Sequence, residues 1–402
     1  LAVDVKGAMT DSGSASGSLD ASARLSGLVG RDGKMNAAGA SLKLDARAGK
    51  VPVALVDGIL GLGGLAEPAL GGSLDLTALA ELKSGEGPLS LKARATHARL
   101  DIEGSLAEGR FTLRKPVVGE IDVTEELGSK LLNKIHPIFE TVKTAEKPLR
   151  VEIDNKGFVV PIREFDVTKV VVPRLKVSSN RMIFRKGGTL EMLITLATKF
   201  GGAKGLGSAG EMEVWTTPLL AEMKNGTFSY SRRLDLLIDR KLHAFSWGTV
   251  ALAGSSSYDL YLGLPAASLR KILGTNRISE GEVFTFPLEG REGKVDNRAL
   301  LGKAGLDLGR VRGQYELSKK DPLLGLVAGE LTRKAIGTDT GPVPPPSVTP
   351  LPWAGLVKEP APPPKKTDPV KKPAASQPAA PSSKPAKPQT EEIIRDVLDL
   401  FK

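Results

Sequence analysis

Residues 225–265 read NGTFSYSRRLDLLIDRKLHAFSWGTVALAGSSSYDLYLGLP, and their apolar side chains keep one parity. Phe228, Tyr230, Leu234, Leu236, Ile238, Val250, Leu252, Tyr258, Leu260, Leu262 and Leu264 occupy even positions, whereas Ser229, Ser231, Asp235, Asp239 and Asp259 fall between them. Successive side chains of an extended chain point to opposite faces, so a period of two predicts strands with one apolar face. Turn residues at 239–241 and 254–257 divide the stretch into an antiparallel meander of about three strands. Strands of this length reach about 30 Å, and an uncovered face of that size exceeds the few hundred Å² of apolar patch that a soluble monomer tolerates.

Upstream of the meander, residues 1–50 alternate small apolar and polar side chains, as in Leu19, Ala21, Ala23, Leu25 and Leu42, Leu44, Ala46, with Gly and Ser clusters as turns. A short helix over 52–62 starts at Pro52 and carries Leu55, Ile59 and Leu62 on one stripe before it dissolves into glycines. Alternation resumes at 74–82, 89–95, 100–102 and 111–113. Thr124 caps a second helix over 124–139, with Glu125 and Glu126 at its positive end and Leu127, Leu131 and Ile135 on one side, until Pro137 ends or kinks it. Strands are expected at 149–153 and along 167–184, where Pro173 marks an edge or a bulge. Helices follow over 189–200 and 266–273, a strand over 283–288 and a last helix over 321–336. Groups of strands interrupted by helices, without regular βαβ alternation, predict a mainly β, antiparallel fold.

The chain has 402 residues, enough to bury a sizeable core, and no cysteine, which removes disulfides, thiolate metal sites and cysteine nucleophiles. Half of its formal charge of +10 sits between Pro342 and Gln389, where seven lysines face only Glu359 and Asp368. More than half of the 28 prolines are also there, so 341–389 reads as a disordered, locally polyproline linker. The closing TEEIIRDVLDLFK, residues 390–402, has Thr390 as a cap and Ile393, Ile394, Val397, Leu398 and Phe401 at helical spacing, a short helix suited to docking a protein partner. Leu1 lies inside an alternating run, and we read the chain as a fragment whose upstream portion is missing. No stretch approaches the roughly 18 to 20 apolar residues of a membrane span, and no signal peptide is visible.

Motifs for chemistry are absent or out of context. Gly205-Leu-Gly207-Ser-Ala-Gly210 matches the dinucleotide fingerprint, which needs a strand before it and a helix after it; here the order is reversed, so it reads as a helix-to-strand loop. His97, His136 and His243 lie far apart in sequence and read as surface or strand residues rather than metal ligands or bases. Asp235 and Asp239 fall on the polar side of the meander and read as solvated carboxylates. No catalytic residue, metal ligand or cofactor is expected. Nucleic acid is disfavoured because the few aromatics lie mostly on the apolar parity rather than among Arg232, Arg233, Arg240 and Lys241.

Residues 55–331 resemble the C-terminal region of AsmA-like proteins. The resemblance rests on KNGTF at 224–228, RLDLLID at 233–239, FSWGTVAL at 245–252, YDLYLGLP at 258–265, SLRKIL at 268–273, FPLEGREGKVD at 286–296 and EELGSKLLNKIHPIF at 125–139. It implies an elongated, twisted β-sheet curled into a half-open hydrophobic groove. It also implies an N-terminal helix anchored in the inner membrane, a periplasmic location, and transport of phospholipid towards the outer membrane or maintenance of that membrane. The anchor is missing from this chain, and the Pro/Lys tail has no role in the family.

These readings predict four regions: 1–50, the edge of an upstream β region; 51–340, the β-groove domain; 341–389, the linker; and 390–402, the tail helix. The expected function is non-enzymatic handling of phospholipid acyl chains by the inward parity of the meander, namely Phe228, Leu234, Leu236, Ile238, Val250, Leu252, Leu260, Leu262 and Leu264. The alternative is an interaction scaffold or outer-membrane assembly factor with a closed β core and a partner-docking tail helix. Leu236→Asp tests the groove, since a groove would lose its lipid and a core would unfold; native mass spectrometry separates the two functions, bound phospholipid favouring lipid handling and a clean apo mass the scaffold.

Overall fold

The computed structural model describes residues 2–10, 16–29, 34, 39–60, 64–162, 166–199, 206, 210–252, 257–274, 278, 280–291, 294–320 and 342–355. Two units divide the chain: Leu1–Leu301 with Thr338–Trp353, and Gly302–Gly337 with Ala354–Lys402. The first unit is built on one large antiparallel sheet that does not close into a barrel, with a few short helices.

Its first half is a plain succession in which β1 (Ala2–Thr10), β2 (Ser16–Ser26), β3 (Ser41–Pro52), β4 (Ser73–Lys83), β5 (Gly87–Ala95) and β6 (Ala98–Ala107) each pair with the next. Two short helices, α1 (Val53–Leu60) and α2 (Ala66–Leu70), interrupt it between β3 and β4. The Asp57 carboxylate accepts from Gly64 N at 2.6 Å and Ala66 N at 2.9 Å, which satisfies donors at the start of α2. Beyond β6 come β7 (Arg110–Leu113) and β8 (Val117–Ile121), each pairing with part of it.

A helical stretch follows: α3 (Glu125–Leu127), a π turn (Gly128–Leu132), α4 (Asn133–Ile135) and a 3-10 turn (Pro137–Thr141). Thr124 caps it as expected, its hydroxyl accepting from Leu127 N at 3.1 Å, and α4 ends just ahead of Pro137. Next come β9 (Val142–Ala145), β10 (Leu149–Ile153), β11 (Val160–Pro161), β12 (Val172–Ser178) and β13 (Arg181–Arg185). The long run expected over 167–184 is therefore divided, with a 3-10 turn at Val167–Lys169 and a register shift in β12 on either side of Pro173. The remaining elements are α5 (Gly188–Lys199), β14 (Glu211–Thr216), β15 (Leu219–Lys224), β16 (Thr227–Tyr230), β17 (Leu234–Ile238), β18 (Leu242–Ala251), β19 (Ser257–Pro265), α6 (Ala266–Leu273), β20 (Val283–Arg291), β21 (Lys294–Val295) and α7 (Asn297–Lys320).

The sheet forks at β18. Leu242–Ser246 pair with β17, and through it with β14, β13 and β9; Thr249–Ala251 pair with β16, and through it with β15, β12, β10 and β8. On its other side β18 pairs with β19 and so with β20. The meander thus has four strands, β16–β19, rather than about three. Its β17–β18 turn places Asp239 and Arg240 at φ 46 and 52, and the β15–β16 turn places Asn225 and Gly226 at φ 53 and 70. In the two-residue β15–β16 hairpin these consecutive positive φ values match the right-handed twist of the strands, and Asn-Gly is a preferred pair there; three residues, 239–241, join β17 to β18.

Three expectations about the C-terminal part differ from the structure or lie beyond its described residues. The helix expected over 321–336 lies outside them, as does the tail helix at 390–402. A 24-residue helix that the sequence reading does not expect, α7, stands at Asn297–Lys320, where Gly302, Gly305, Gly309 and Gly313 lower helix propensity and hide it from pattern reading. Of the linker expected at 341–389, residues 342–353 belong to the first unit, where Pro346 forms a parallel bridge with Arg233. The second unit is described only over 302–320 and 354–355.

Candidate functional site

The nine expected groove residues do share one face. Cross-strand pairs Phe228↔Val250, Leu260↔Leu288 and Leu262↔Phe286 extend that face from β16 to β20. The structure places it in the core: Leu234 and Leu236 are 1% exposed, Ile238, Val250, Leu260 and Leu262 0%, Leu264 2% and Phe228 4%. Only Leu252 is half-buried. The space that hydrocarbon would need is filled by protein.

The helical stretch 125–141 lies on this face and is fastened to it by polar side chains. Tyr230 Oη donates to Ile135 O at 3.3 Å and Tyr258 Oη donates to Asn133 O, so two strands satisfy carbonyls at the end of α4. Burial, and the neighbouring Glu140, push the Tyr258 hydroxyl up to about 12. At Gly128 an added Cβ would stand 2.3 Å from Val142 Cγ1, which is how closely the π turn approaches β9.

His136 is fully buried between these elements, not at the surface. Its Nδ1 accepts from Ile138 N at 3.1 Å, so Nε2 carries the proton and donates to Ser246 Oγ at 2.8 Å, while Ser246 Oγ donates to Tyr261 O at 2.7 Å. Burial pushes the imidazole down to about 3. The unfolded chain takes up this proton near pH 6.5 and the folded chain does not, so stability is fully present above that pH and falls as the medium is acidified. Between pH 7 and pH 5 this contribution is expected to shrink by about 2 kcal/mol. Urea unfolding at the two pH values checks it, because His136→Gln should remove that part of the drop.

On the opposite face of the meander, Asp235 is 0% exposed rather than solvated. Arg233 Nε lies 3.1 Å from both of its oxygens and His243 Nε2 lies 2.9 Å from Oδ1. Ser268 completes a Ser-His-Asp set in name only, since its Oγ donates to His243 O at 2.6 Å and accepts from His243 N at 3.2 Å, both main-chain atoms. Asp239 turns its carboxylate to Glu213 N at 3.0 Å, bracing β14 against the hairpin turn. Both aspartates hold the fold together. Sequence parity misses this because it assigns the odd positions to water; the aromatics Phe245 and Trp247 at odd positions of β18 are the signal that this face is covered too.

An apolar face that is not sealed lies elsewhere, on β1–β6. Its register stacks Val5, Ala21, Ala46, Ala78, Leu91 and Ile102 in one row across six strands, and Val3, Ala23, Leu44, Ala80 and Leu89 in the next. Ala80 is buried, Val3 and Val5 are 42% and 46% exposed, and the others in these rows are half-buried. One end is packed by α1 and α2 around Val53, Ala66 and Leu74, and the β5–β6 side by Phe111, Leu113 and Val117. The reverse face is charged, with a cleft of about 420 Å³ walled by Ser18, Asp20, Arg47, Asp75, Thr77 and Lys92.

Among the described residues no group of three or more His, Asp or Glu could hold a metal ion, and no helix is long and apolar enough to cross a membrane. The Gly205–Gly210 motif falls outside the described residues except for Leu206 and Gly210, between α5 and β14. No family model, curated protein or solved structure matches the chain.

Proposed function

We propose that this protein handles phospholipid, as an AsmA-like protein of the periplasm would, and that acyl chains lie on the apolar face of β1–β6 rather than on the meander. The observation that carries the reading is the contrast in burial along one sheet. Leu260 and Leu262 have no exposure, whereas Val3 and Val5 are exposed and, apart from the buried Ala80, the rows behind them are half-buried. Alanine at many of these positions leaves a shallow, smooth surface with no directional partner, which suits hydrocarbon. Six strands about 4.8 Å apart and about 30 Å long give room for chains of about 15 Å, half the hydrocarbon thickness of a bilayer.

Ala46 lies between Ala21 and Ala78 in the middle of this face. Protein purified from membrane-bearing cells should carry phospholipid adducts in native mass spectrometry. Ala46→Asp should lose them with stability changed by no more than about 1 kcal/mol, because the new carboxylate can reach water. A clean apo mass for the wild type would sink the reading. It would favour a non-enzymatic interaction scaffold, for which the sealed core under the meander speaks.

A further inference from the structure

The outer face of β17–β18 is met by a proline-rich segment of the same unit. Residues 342–353, PVPPPSVTPLPW, contain six prolines, and they meet this face at two points. Arg233 N donates to Pro345 O at 3.3 Å, with Arg233 and Pro346 bridged in parallel, and the Trp353 ring stands edge-on to His243 at 5.8 Å and is 5% exposed. The receptor side is rigidly built. Arg233 is held by both oxygens of Asp235 and lies over the Phe245 ring at 4.3 Å, Phe245 stacks on Trp247 at 5.7 Å, and Trp247 stacks on Tyr261 at 5.5 Å. Phe245 packs onto bare backbone at Gly263, where a Cβ would come within 2.3 Å of its ring.

The segment seated there is less completely held. Its prolines have no N–H to donate, and Ser347 Oγ is buried without a partner. At the fork of the sheet, just ahead of β17, the Arg233 main-chain N–H is left to the segment beside a cation and stacked rings, a setting that suits proline-rich peptides, because the polyproline conformation loses little entropy on docking. We infer that the outer face of β17–β18 is a binding site for proline-rich peptides, occupied in cis by residues 342–353 and open to the same kind of sequence in trans.

The experiment uses the full chain with Pro345→Gly, Pro346→Gly and Trp353→Ala, which empties the site without touching its walls. A fluorescent peptide of residues 342–353 is titrated by anisotropy into this variant and into the wild type. Saturable binding to the variant is expected, at least about tenfold weaker to the wild type, whose tethered copy competes at high effective concentration. A peptide of the same composition in scrambled order should bind neither. The inference is overturned if the folded variant does not bind the peptide or if the scrambled peptide binds equally well. Loss of the variant's cooperative thermal transition also overturns it, since the segment would then be an integral part of the fold.

Discussion

Leu236→Asp is expected to unfold the first unit rather than to empty a groove. Leu236 is 1% exposed at the centre of β17, on the face pressed against the helical stretch 125–141. A carboxylate there would be shut away from solvent, and the register sets Leu236 opposite Ala244 and Thr216, neither of which supplies a cation. Burying it, ionised or forced neutral, costs several kcal/mol beyond the lost leucine packing. Against a total stability of roughly 5–15 kcal/mol for a native domain, the variant should be largely insoluble or show no cooperative urea transition. A variant that melts like the wild type but has shed bound lipid would return the acyl site to the meander.

Removing Asp235 should have the next largest effect. Its carboxylate is fully buried between Arg233 and His243, and its main chain exchanges hydrogen bonds with Thr217. Asp235→Ala leaves the guanidinium stranded over Phe245 with its anion gone, and breaking a buried pair from one side costs about 3–5 kcal/mol. A shift of that size in the free energy from urea unfolding is expected. The paired change Arg233→Met with Asp235→Leu, which removes both charges, should recover a large part of it. If Asp235→Ala changes stability by under 1 kcal/mol, the pair is a solvated surface contact and the sequence reading of this face stands.

Much of the fold is legible from local chemistry. Parity places the strands, Thr124 and Pro137 bound a helix, and the Asn-Gly and Asp-Arg turns set hairpin register, because each signal acts between residues close in sequence. Helix α7 escapes because its four glycines oppose the conformation it adopts. His136 escapes as a core residue because its partner, Ser246, lies 110 residues away. The segment 342–353 escapes because composition alone assigns proline-rich chain to solvent; Trp353 among the prolines is the one residue there that calls for a buried site.

By itself, the sequence determined a mainly β antiparallel chain and which side chains share a face of the sheet, since alternation is a property of the extended backbone. The tertiary structure alone decided which apolar face is sealed and which is left half-open, because covering a face depends on segments brought from far along the chain. Leu262 and Ala46 obey the same period of two, yet one is core and the other meets solvent. The difference is a helical stretch, 125–141, clamped over the first by Tyr230, Tyr258 and His136.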